Sequence, residues 1–83
     1  MRTESEVKAR IANLKGTMTL STRQFYTDEM SDNVFKEVYS AIWEEMTALY
    51  WFLGDSRDEA VNKVAQFMVT VGFEVKKLID EAD

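Results

Sequence analysis

The side chains of this sequence with the most capacity for chemistry are its fifteen carboxylates, because it contains no histidine and no cysteine. Without imidazole or thiolate, the commonest general base, the commonest metal ligand and the strongest side-chain nucleophile are all missing. What remains is the chemistry of paired acids, which can hold a metal when they face the interior of a helical bundle. Three groups qualify by proximity: Glu44 with Glu45; Asp28, Glu29 and Asp32; and Asp55, Asp58 and Glu59. Glu44 and Glu45 are adjacent, so they diverge by about 100° on a helix, and Glu44 falls almost opposite the apolar seam. The second group lacks the glycine and the alternating spacing of a calcium loop. The third sits at a helix start, where negative charge is favoured by the helix dipole without any ligand. No glycine-rich phosphate loop is present, and no nucleophile has a recognisable base. These absences predict a protein that is not an enzyme, with no catalytic residues, no cofactor and no metal.

The elements that position these groups follow from apolar spacing. Phe35, Tyr39, Ile42, Met46, Leu49 and Leu53 recur at intervals of four and three, which predicts a helix over about 33–53 with one inward seam. Gly54 follows as a left-handed C-terminal cap, and Ser56 and Glu59 have the spacing of a capping box for the next helix. Val61, Val64, Met68, Val71, Val75, Leu78 and Ala82 then predict a second seam over about 57–81. The β-branched run "MVTV" lies within that seam, and the sustained spacing outweighs its strand propensity. Gly72 lies beside the seam, where a close approach of another helix would explain it. Thr3 and Glu6 form another capping box, and Val7, Ile11, Leu14 and Met18 predict an N-terminal helix over about 4–15 or longer. Gly16 obscures where that helix ends, leaving a connection over about 16–32. The whole is an all-α fold in one domain, residues 1–83: a long antiparallel helical hairpin with an N-terminal helix, forming a small helical bundle.

The segment "AIWEEMTALYWFLGD", Ala41 to Asp55, holds more aromatic surface than one seam can use. Val38 and Phe52 flank the seam on one side, and Trp43 and Tyr50 flank it on the other, so a widened stripe can take all four. Trp51 lies about 160° from the seam centre, on the face that carries Glu37 and Glu44. Val69 and Phe73 form an i, i+4 pair away from the second seam. The expected protein interface therefore comprises Trp51, Tyr50, Trp43, Val69, Phe73 and Glu44.

Charge is divided unevenly within a net −5. Residues 1–26 carry five basic side chains (Arg2, Lys8, Arg10, Lys15 and Arg23) against Glu4 and Glu6, whereas the remaining chain carries five basic and thirteen acidic ones. The excess acid opposes direct nucleic-acid binding. The N-terminus has no apolar signal segment and no apolar run approaches a membrane span, so a cytoplasmic protein without membrane contact is expected. Eighty-three residues without disulfides or metal bury a modest core. The apolar surplus thus predicts a helical protein–protein interaction module that self-associates as a homo-oligomer, probed by an outer aromatic patch. The alternative from size and acidity is an inhibitor or mimic, of the viral or mobile-element accessory type, that occupies a basic site on a nucleic-acid-processing protein. The turn "WFLGD" also resembles the Trp-x-Gly turn of small secreted helical hairpins, with one extra residue between Trp51 and Gly54 and no C-terminal tyrosine-based export signal. That resemblance covers the hairpin alone and implies a secreted helical-hairpin protein as a more distant alternative.

Overall fold

Gly16 does not end the first helix. In the computed structural model, which describes residues 3–82, the chain forms α1 (Glu4–Tyr26), α2 (Asp32–Phe52) and α3 (Arg57–Ala82). A Cβ at Gly16 would meet nothing within 4 Å, so the residue faces open space and costs α1 only its propensity. The connection expected over 16–32 shrinks to Thr27–Ser31. Arg2, part of the basic N-terminal charge, lies outside the described residues.

Each helix starts on a side-chain cap. Thr3 accepts from the Glu6 amide at 3.2 Å, Ser31 accepts from the Val34 amide at 3.3 Å, and Ser56 and Glu59 exchange hydrogen bonds reciprocally at 3.2 Å. Two of the helix ends are alike as well. After α2, Gly54 takes φ 105°, its amide donates to Trp51 O and the Asp55 amide donates to Tyr50 O. After α1, the same pair of bonds runs from Asp28 to Phe25 O and from Glu29 to Gln24 O, with Asp28 at φ 62°. Both ends are Schellman motifs, but only the second helix supplies the residue that reaches positive φ without a Cβ penalty.

The three helices pack against one another in pairs, giving an all-α bundle of 44 × 23 × 22 Å. Val7, Ile11, Leu14 and Met18 of α1 close over Ile42, Met46 and Leu49 of α2 and over Val64, Met68, Val71 and Val75 of α3. Ser21 and Thr22 extend the buried stripe of α1, and the Thr22 hydroxyl donates to Met18 O at 2.8 Å, which makes its burial tolerable. Phe25 stacks on Phe35 at 4.3 Å between ring centroids and 11° between planes, pinning the α1–α2 junction.

Two details of the expected seams are corrected. On α3 the buried row is Ala60, Val64, Met68, Val71 and Val75, with Ile79 partly buried, while Leu78 and Ala82 are exposed. A strict heptad drifts by about 20° per repeat on a straight helix, so by the last turns Leu78 has rotated out and Ile79 has taken its place. On α2, Phe52 is exposed at the last turn, whereas Val38, Trp43 and Tyr50 are half-buried as flanking residues. Gly72 also differs from expectation: a Cβ there would touch only the Tyr26 hydroxyl at 3.7 Å, not a neighbouring backbone.

Candidate interaction surface

On α2, the four-residue period that places Tyr39 near the core carries Trp43, Thr47 and Trp51 progressively outward. The Thr47 hydroxyl is spent inside its own helix, donating to Trp43 O at 2.8 Å. Trp43 is held from behind by Tyr39, 5.9 Å between centroids, which continues to Phe35 and so to Phe25. Trp51 stands at the end of the row and is 68% exposed. The tight Gly54 turn brings Arg57 and Val61 of α3 alongside. Together with Glu44 and Ala48, these residues line an open groove of about 480 Å³ between the two helices.

Along α3 the outer face is also apolar. Val61, Ala65, Val69 and Phe73 follow at i, i+4 intervals, and Val69 and Phe73 are 60% and 73% exposed. Phe73 and Val69 line a second hollow of about 300 Å³ with Tyr26, Met68, Gly72 and Lys76. No charged residue occurs from Val64 to Phe73, about three helical turns. A helix without charge all round is normally covered on all sides, yet α1 and α2 cover only the inner side of this one.

The structure thus brings Trp43, Glu44 and Trp51 together in one groove and Val69 and Phe73 together in a second hollow with no lining residue in common. Tyr50 belongs to neither. Its ring lies under the Lys63 ammonium, 5.2 Å from Nζ to the centroid, in a separate hollow with Ile11, Leu53 and Asp55. Tyr26 and Arg57 are surface residues that the sequence pattern did not single out, and Val61, expected in the α3 seam, lies half-buried along the groove while Ala60 takes the buried position. Tyr26 was legible only if α1 ran through Gly16; Arg57 and Val61 depended on which side of α3 faces the turn.

Electrostatics separate the flanks. Glu45 leaves its neighbour Glu44 and receives a forked pair of bonds from Arg10, with Arg10 Nη2 at 3.0 Å from Glu45 Oε1. The bond to Glu45, and then its charge, hold the Arg10 guanidinium above its ordinary pKa. Lys63 donates to Asp55 at 2.7 Å, and that hydrogen bond raises the Lys63 ammonium against the opposing effect of desolvation. One turn further along α3, the Lys15 ammonium lies 5.5 Å from the Phe67 centroid, covering an aromatic ring beside α1. Among the described residues no three acidic side chains gather in a metal-holding arrangement, and no helix is long and apolar enough to cross a membrane. Comparison of the chain with protein-family models, with curated proteins and with solved structures finds no match.

Proposed function

We propose that this protein is a non-enzymatic helical protein–protein interaction module that self-associates and uses the outer face of the α2–α3 hairpin as its contact surface. The observation that carries this is Trp51: a tryptophan 68% exposed on a groove that it shares with Trp43, about two turns back on the same helix and packed from behind by Tyr39. A large, rigid, amphipathic side chain beside an apolar groove is the usual composition of an interface anchor. The groove has the composition of a helix-in-groove site, with apolar lining from Trp43, Ala48 and Val61 and one charge of each sign, Glu44 and Arg57. Its occupant is an amphipathic helix of another protein chain.

A photo-crosslinking residue placed at Ala48, in the full-length chain expressed in its native cells, tests this. The expected result is one dominant crosslinked species that disappears with Trp51→Ala while Trp51→Ala leaves the unfolding midpoint in place. Diffuse labelling that Trp51→Ala does not change would remove the groove from consideration. A single basic nucleic-acid-processing protein as the crosslinked species would favour the acidic-mimic alternative, since thirteen of the fifteen carboxylates lie after residue 26.

A further inference from the structure

We infer that α3 pairs with α3 of a second copy, antiparallel about a two-fold axis near residues 67 and 68, through its uncharged outer face. This deepens the self-association in the proposed function and rests on that part of it.

Charge resumes at the two ends of the uncharged stretch with opposite signs. The exposed acids Asp58 and Glu59 lie at the start of α3, and the exposed bases Lys76 and Lys77 lie near its end. Asp58 and Lys76 are eighteen residues apart, as are Glu59 and Lys77. Eighteen residues are about five full turns, roughly 27 Å, so each acid stands on the same side of the helix as its base. A two-fold axis perpendicular to α3 reverses direction along the helix but preserves that side. It therefore sets Asp58 against Lys76 of the second copy and Glu59 against Lys77, and does so twice by symmetry. A parallel arrangement would instead set like against like.

Between these charged ends the face is self-complementary in size. The same operation places the small Ala65 against the exposed Val69 of the second copy, Gln66 against Thr70, and Asn62 beside Phe73. Asp80 falls beyond the paired turns. Burying Val69 and Phe73 in this way covers the longest uncharged segment of the chain on the side that α1 and α2 leave open. The charges at its ends then select orientation and register.

Sedimentation equilibrium of the full chain at micromolar concentration is the primary measurement. Wild type is expected to be a dimer, and Phe73→Ser to be a folded monomer with unchanged helicity. Asp58→Lys and Lys76→Asp should each raise the dissociation constant by about tenfold, and the double swap should restore it. Because the sequence has no cysteine, single introduced cysteines report orientation. Val69→Cys, close to the axis, should oxidise to a covalent dimer, whereas Asn62→Cys, several turns from its symmetry mate, should not. Equal crosslinking of both would mean a parallel pair and overturns the inference. A wild-type monomer overturns it too, and so does a dimer indifferent to Phe73→Ser and to the charge swap. A dimer lost on Trp51→Ala but kept on Phe73→Ser also overturns it while leaving the module reading intact. Trp51-dependent crosslinking at Ala48 judges that reading separately.

Discussion

The two sides of the α2–α3 hairpin use similar residues for opposite purposes. On the inner side, Met46 and Val64 have no exposure and Met18 of α1 has almost none, so that face is sealed by the third helix. On the outer side, Trp51, Val69 and Phe73 are each at least 60% exposed. Apolar residues alone do not distinguish the faces. The difference lies in what covers them: α1 is amphipathic with one narrow stripe, Val7, Ile11, Leu14 and Met18, and one stripe can seal one side of a hairpin.

The sharpest way to break this comparison is to put the same charge on each face. Met46→Asp leaves an unpaired carboxylate in the core and should cost about 3 kcal/mol or more, whereas Phe73→Asp should change the stability of the isolated chain by about 0.5 kcal/mol or less. Chemical denaturation followed by helix circular dichroism measures both, and equal losses would mean that the outer face is also core. The two tryptophans give a finer version. Truncating the half-buried Trp43 removes its stack with Tyr39 and should cost about 1 to 2 kcal/mol, while Trp51→Ala should stay within about 0.5 kcal/mol. A Trp51→Ala protein that unfolds as early as Trp43→Ala would return the whole segment from Ala41 to Asp55 to the interior.

Two smaller substitutions sharpen the part of α1 that makes the seal. Gly16→Ala adds a methyl into open space within a helix and should stabilise by up to about 1 kcal/mol. Asp28→Gly relieves positive φ at the end of the same helix and should stabilise by a few tenths of a kcal/mol to about 1 kcal/mol. A loss of stability from Gly16→Ala would show that something packs on that face of α1. The smallest effect concerns the Lys63–Asp55 pair beside the turn. The folded-state pKa of Lys63 is raised, so its contribution is complete below the ordinary lysine value of 10.5 and is lost as pH rises through the higher folded value. The wild-type thermal midpoint should therefore fall more steeply above pH 10.5 than that of Lys63→Met, with no difference between their slopes near neutrality.

Much of this molecule was legible before any coordinates. The caps at Thr3 and Ser56, the Gly54 turn and the inward rows on α1 and α2 are local, set by spacing over a few residues, and each appears where the pattern places it. Trp51 was legible for the same reason, since its angle from the seam depends only on helix period. Less legible were the elements whose outcome depends on a neighbour. Leu78 and Ile79 exchanged roles because the heptad drifts on a straight helix, and Phe52 stayed exposed because no element covers the last turn of α2 on that side.

The sequence by itself determined three amphipathic helices, their starts, the sharp reversal at Gly54 and the outward position of Trp51, because caps, glycine conformations and helical periodicity act within one or two turns. Tertiary structure alone decided that α1 continues to Tyr26, that Glu45 turns from Glu44 to Arg10, and that Tyr50 meets Lys63 while Trp43 and Trp51 share a groove with Arg57 and Val61 of α3. Those outcomes depend on which helix lies beside which, and side chains far apart in sequence meet only after the apolar stripes have chosen their partners.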